Sequence, residues 1–107
     1  MSVLICLTTC PDRACAERLA ATLVRERLAA CVNILPGLRS TYLWQDRLEQ
    51  ADEVLLLVKT TAERYPALQA RLPALHPYEL PELLAVRTCD GLPAYLQWVA
   101  EGATPVD

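Results

Sequence analysis

Two long extended arms, joined by little more than a turn, restrict this chain more than any other feature. Residues 31–44 and 48–60 both read as strands, with Gln45-Asp46-Arg47 between them as a hairpin turn. An arm of about 14 residues is roughly 46 Å long at strand rise. A domain of about 100 residues has a radius of gyration near 13 Å. Part of the hairpin must therefore project or bend, and Pro36-Gly37 is the expected bulge between CVNIL (31–35) and the resumed strand from Leu38 to Trp44. Leu38, Ser40, Tyr42 and Trp44 share one parity of that strand. A projecting arm bearing Tyr42, Leu43 and Trp44 calls for a partner to cover it.

The rest of the chain supplies the body from which the arm projects. Val3 to Leu7 and Val54 to Val58 are apolar on both parities, as strands covered on two faces should be. Thr8-Thr9-Cys10-Pro11-Asp12 follows with helix-start chemistry, Asp12 being a natural cap. Ala16, Leu19, Ala20, Leu23 and Val24 then recur at helical spacing, opposite Arg18, Arg25 and Glu26. A second helix carries Tyr65, Leu68, Leu72 and Leu75, opened by Pro66 and shortened by Pro73. A strand from Leu83 to Arg87 precedes a last helix, capped by Asp90, with Leu92, Tyr95, Leu96 and Val99 inward and Trp98 in the core.

This order predicts one α+β domain over residues 1–107, a ferredoxin-like β-α-β-β-α-β-α sandwich. The first and third strands are central in such a sheet, and they are the two that read apolar on both faces. Helices can cover only one of those faces. With 53% hydrophobic residues, against roughly 45–50% in a typical domain, so small a body cannot hide its apolar surplus alone. A buried subunit contact is expected.

Ten basic and 13 acidic side chains give a net charge of −3, with Lys59 the only lysine. No basic cluster offers a nucleic-acid surface, so nucleic acid is not an expected partner. The apolar runs fall far short of the roughly 20 residues that span a bilayer, so neither is a membrane. The N-terminal residues carry no basic stretch before a brief apolar one, so no signal peptide is read and a cytoplasmic location is expected. Five cysteines, an odd count without a C-x-x-C pair, point to reduced thiols. Three glycines and two serines leave no phosphate loop and no nucleophile elbow, and the chain is not expected to be an enzyme.

The most distinctive stretch is HPYELPE, residues 76–82, which holds the one histidine, a tyrosine and two carboxylates between prolines that stiffen the backbone. It reads as a ligand loop, with His76 a nitrogen donor and Glu79 or Glu82 oxygen donors. It reads also as a strand entry with Tyr78 packed and both glutamates solvated. Cys31 and Asn33 share a strand face. Cys31 is either a soft metal ligand or a small core residue, and Cys6 has the same two readings. Cys10 and Cys15 lie near a helix start, where a thiol pKa can fall. Lys59 either anchors an anionic ligand or pairs with a glutamate across a subunit boundary.

Five segments together resemble one known family: TTCPD at 8–12, LAACVNILPG at 28–37, STYLW at 40–44, LLLVKTT at 55–61 and HPYELPE at 76–82. Over nearly its whole length the chain is similar to CutA, the divalent cation tolerance proteins. The resemblance implies a homotrimer whose long hairpins pair between neighbours, related in shape to PII-type trimers that bind small ligands between subunits. It implies a part in divalent metal (copper) tolerance, with Cu(II) or another divalent metal as a possible ligand of His76, Cys31 and Glu79. Asn33, Lys59, Tyr78 and Glu82 would face a ligand cleft, and Tyr42, Leu43 and Trp44 the trimer interface. The chain departs from the family at Thr8, where some members carry Cys, and at Leu75, where some carry a second His. A PII-like trimer for a small anionic ligand and a structural trimeric scaffold are the alternatives.

Overall fold

The computed structural model describes residues 2–106, so Met1 and Asp107, the ends of the expected domain, lie outside the described residues. The elements follow as β1 (Val3–Cys10), α1 (Arg13–Arg25), β2 (Cys31–Trp44), β3 (Arg47–Thr61), α2 (Tyr65–Leu75), β4 (Leu84–Arg87) and α3 (Pro93–Gly102). Their four strands form one sheet in the order β2-β3-β1-β4, every neighbouring pair antiparallel. The two strands that are apolar on both parities, β1 and β3, are thus central, as expected.

One sheet face packs on α1 and α2. Leu4, Cys6 and Cys10 of β1 and Val54, Leu56 and Val58 of β3 meet Cys15, Ala16, Leu19 and Leu23 of α1 and Leu68 and Leu72 of α2. β1 runs to Cys10 rather than ending at Leu7, because Thr8, Thr9 and Cys10 keep pairing with Leu56, Leu55 and Val54. Asp12 caps α1 as expected, its Oδ1 accepting from the Cys15 N–H at 2.8 Å. Val24 is exposed and not inward. At 100° per residue it sits about 180° around the helix from buried Cys15.

The expected bulge is present. Leu35 pairs with Leu55 and Leu38 with Glu53, so β2 spends one extra residue there, with Gly37 at φ 88°. The extra residue keeps Leu38, Ser40, Tyr42 and Trp44 on the same face as Cys31, Asn33 and Leu35. The turn is one residue shorter than expected: Trp44 pairs with Arg47, and Gln45 and Asp46 both have positive φ (50° and 64°), a type I′ hairpin. β1 stops pairing at Val54, so beyond it β3 has β2 as its one partner. This two-stranded arm stretches the molecule to 44 × 28 × 21 Å.

Four expectations at the C-terminal half are corrected. α2 continues past Pro73 to Leu75, its last turn held by buried Leu72 and half-buried Leu75 against the core. β4 starts at Leu84, not Leu83. Asp90 does not cap α3: its Oδ1 accepts from the Gly91 N–H at 2.8 Å, and Leu92 stands at the cap position without a side-chain bond. Leu92, Tyr95 and Trp98 are exposed, Trp98 by 51%, and Val99 is the buried residue of α3. The helix is too short to wrap two faces, so Tyr95 and Trp98 stack on each other instead, with centroids 5.7 Å apart.

The second sheet face is largely open. Ile5 faces Val86 and Lys59 across the strands, and Leu7 faces Leu84 and Leu57. Leu35, Leu84 and Val86 are exposed on it.

Candidate functional site

The HPYELPE loop, between α2 and β4, is tied to the end of β1 and the base of the arm. His76 is 8% exposed. Its Nε2 lies 2.7 Å from the Thr9 carbonyl, which can only accept, so Nε2 carries the proton and donates. That leaves Nδ1 to accept from the Tyr78 N–H at 3.1 Å. The Cys10 sulfur is 4.0 Å from Nε2. Tyr78 packs its ring against the imidazole, centroids 4.8 Å apart, and its hydroxyl donates to Glu53 Oε2 at 2.6 Å. Burial, and then the hydrogen bond to the Glu53 carboxylate, push the ionisation of the Tyr78 phenol well above its ordinary value. Glu53, itself 8% exposed, thereby has a neutral donor as its partner.

These bonds hold the loop over the open sheet face and create a groove of about 870 Å³. Its floor includes Thr9, Ser40, Ala51 and Glu53, its outer end is Tyr42, Trp44 and Glu49, and its wall is Tyr78, Glu79, Leu80 and Glu82 of the loop. Four carboxylates line it, and the lining contains no lysine or arginine.

The expected site residues fall into two groups. Tyr78, Glu79 and Glu82 are brought together with Tyr42 and Trp44 at the groove. Cys31, Asn33 and Lys59 lie elsewhere. Cys31 pairs with Lys59, four to five residues along β3 from the partners of Thr9 and Cys10, or roughly 13–17 Å of strand. The Lys59 ammonium donates to Asn33 Oδ1, a bond within this chain. Leu43 lies on the opposite face of the arm, 72% exposed, and pairs with exposed Leu48. Among the described residues no group of three or more His, Cys, Asp or Glu side chains stands close enough to hold a metal ion.

The thiols near the helix start behave as core groups. Burial, with smaller contributions from Cys15, Asp12 and Glu53, pushes Cys10 up to about 12, and burial pushes Cys6 up to about 11. Neutral thiols of this kind are poor nucleophiles. Thr9, Glu49 and Glu53 are groove residues that the sequence did not single out. The signal for Glu53 was a carboxylate at the head of the most apolar strand. Placing it beside Tyr78 requires the loop to fold back over β3.

The chain matches the profile of the family described as CutA1 divalent ion tolerance protein over residues 4–102. It is 48% identical over 97 residues to the divalent-cation tolerance protein CutA of Thermus thermophilus, covering 91% of this chain and 94% of that one. Among solved structures it is similar to CutA from Xylella fastidiosa, 48% identical with a TM-score of 0.93, covering 97% of this chain and 100% of that one. It is similar too to a structure described as the periplasmic divalent cation tolerance protein CutA from Archaeoglobus fulgidus. That pair is 33% identical with a TM-score of 0.91, covering 95% of this chain and 99% of the other.

Proposed function

We propose that this chain, which belongs to the CutA1 divalent ion tolerance protein family, serves divalent-cation tolerance by binding rather than by catalysis. It does so as a homotrimer, with the groove under the HPYELPE loop as its binding site. The observation that carries this is the lining of that groove, four carboxylates with no basic side chain, which selects for a cation.

A metal held by His76, Cys31 and Glu79 of one chain does not fit the geometry. Both ring nitrogens of His76 are engaged, and Cys31 lies at the other end of the strand pair. His76 instead positions the loop. A divalent ion, Cu(II) included, would meet carboxylates at Glu49, Glu79 and Glu82, oxygen donors better suited to Mn(II) than to copper; they do not converge within one chain, so the ion would take its remaining ligands from water or a neighbouring subunit. A small anionic ligand would have to seek the Lys59–Asn33 pair and not the groove. In the trimer, Leu43 and Leu48 on one face of the arm and Tyr42 and Trp44 on the other are exposed for a neighbour to cover. Five free thiols support the cytoplasm as the working compartment.

Native mass spectrometry of the thiol-reduced protein, titrated with Mn(II), Cu(II) and Zn(II), tests this. A trimer is expected to take up metal in a fixed ratio, with affinity reduced roughly tenfold or more by Glu79→Gln with Glu82→Gln. Uptake unchanged by that pair, or uptake abolished by Cys31→Ala alone, would overturn the groove as the site.

A further inference from the structure

A smaller cavity lies on the helical side of the sheet. It measures about 330 Å³ and is walled by Cys15, Arg18 and Thr22 along one stripe of α1 and by Leu75, His76 and Pro77 at the end of α2. That volume is at the lower end of small-molecule sites, roughly 300–1,000 Å³. Arg18 and Pro77 are exposed, whereas Cys15 and His76 are buried, so the cavity leads from a cationic rim to a thiol. Arg18 forms no ion pair among the described residues, which leaves its guanidinium free to meet a carboxylate.

Behind Cys15 stands a second thiol. Cys10 is fully buried and takes no part in the cavity wall. The Cys15 side chain lies next to it, close enough to help hold the Cys10 thiol neutral, and His76 Nε2 is 4.0 Å from the Cys10 sulfur. The two thiols are thus unequal: one borders a cavity that a small molecule can enter, and the other is approached only from within the core. Neither lines the acidic groove.

We propose that Cys15 and Cys10 form a dithiol pair, modified through this cavity by a low-molecular-weight disulfide that carries a carboxylate. The Cys15 thiolate attacks one sulfur of the reagent, a new S–S bond forms, and the reagent's own S–S bond breaks to release its other half as a thiolate, which takes up the proton Cys15 gave up. Cys10 then attacks the Cys15 sulfur of the mixed disulfide. Its proton passes to the departing sulfur, which leaves as a thiol. The chain loses two electrons and the reagent, reduced, becomes two thiols. The second step is intramolecular, and proximity offsets the small thiolate fraction of a buried, neutral Cys10. The new bond ties the end of β1 to the first turn of α1, beside the Thr9 carbonyl that anchors His76.

Glutathione disulfide added to the intact, thiol-reduced protein, with denaturing mass spectrometry and peptide mapping as the readout, tests this. Cys31→Ser with Cys89→Ser removes the thiols that are not buried, and circular dichroism checks the fold of each variant. In that background a Cys15–glutathione adduct is expected, followed by a Cys10–Cys15 disulfide. Cys10→Ala should keep the adduct and lose the disulfide, and Cys15→Ala should lose both. Arg18→Gln should slow adduct formation roughly threefold and leave the rate with uncharged hydroxyethyl disulfide unchanged. An adduct on Cys10 first, or a Cys15 adduct that never resolves with Cys10 present, would overturn the pairing. Cys15 and Cys6 reacting at one common rate would mean modification only on unfolding, and would overturn the cavity as the route. An unmodified Cys15 in the folded protein would overturn the proposal outright.

Discussion

Thr8 is the residue least at ease in the fold. It is fully buried on the core face of β1, and its hydroxyl is the one buried side-chain polar atom without a partner among the described residues. An unsatisfied buried group costs about 1–3 kcal/mol. Thr8→Val, nearly the same shape, should therefore raise thermal stability by about 1 kcal/mol, or roughly 4 °C for a domain of this size. A melting temperature unchanged or lowered at fixed protein concentration would show that the hydroxyl has a partner. The buried thiols give a pH signature. Cys6 and Cys10 are raised in the fold from 9.0 to about 11 and about 12, so the unfolded chain ionises them first. Their stabilising contribution is full below about pH 9 and declines as pH rises towards 11–12. Melting temperatures between pH 8 and 10.5 should fall less steeply in Cys6→Ala/Cys10→Ala, and parallel curves would refute the assignment.

At the scale of elements, the arm shows how little local sequence is needed to place a site. One extra residue at Pro36-Gly37 keeps Tyr42 and Trp44 facing the same way as the sheet face below them. Without it, both would point to the side where Leu43 now lies, since a one-residue slip inverts every side chain of a strand. The turn that closes the arm is suboptimal. Gln45 and Asp46 hold positive φ without being glycine, which costs each of them local strain. Replacing the pair with Asn-Gly should stabilise the protein by about 0.5–1 kcal/mol in chemical denaturation. A loss of stability would mean that the Gln45 or Asp46 side chain makes a contact outside the chain. On the helical side, Arg64 donates to the carbonyls of Glu26 and Arg27 past the end of α1, and Arg71 grips the Glu26 carboxylate with two bonds. That fixes α2, and with it the start of the HPYELPE loop.

For the whole molecule, the open sheet face sets the terms. Ile5, Leu7, Leu55 and Leu57 lie half-buried on it beside exposed Leu35, Leu84 and Val86, an apolar patch of the kind that marks an interaction surface. A ring of three needs a heterologous contact, and this face and the arm are two distinct surfaces that can supply it. Leu57→Glu places a charge at the centre of the face and should convert the proposed trimer into folded monomer, read by light scattering coupled to size exclusion. A trimer that survives the substitution would move the contact elsewhere on the molecule. No helix among the described residues is long and apolar enough to cross a membrane.

Local patterns in the sequence were enough to establish the element order, the central position of the two doubly apolar strands, the Asp12 cap, the bulge and the overlong arm. Each depends on periodicity or backbone chemistry within a few residues. The failures came where long-range packing decides. Trp98 and Tyr95 looked inward because their spacing is helical, but a short C-terminal helix has only Val99 against the body. His76 looked like a free ligand because residue type says nothing of what its nitrogens meet, and its partners are the Thr9 carbonyl, 67 residues away, and the Tyr78 amide. Within one chain Cys31 and Lys59 stand apart from Glu79, because antiparallel pairing places them at the far end of the strands, so only a cleft between subunits could join them. The groove itself exists because a loop crosses back over β3 to bring Tyr78 to Glu53, 25 residues apart. No local rule encodes that contact, because its free energy comes from burial and hydrogen bonding that exist only once the sheet has formed.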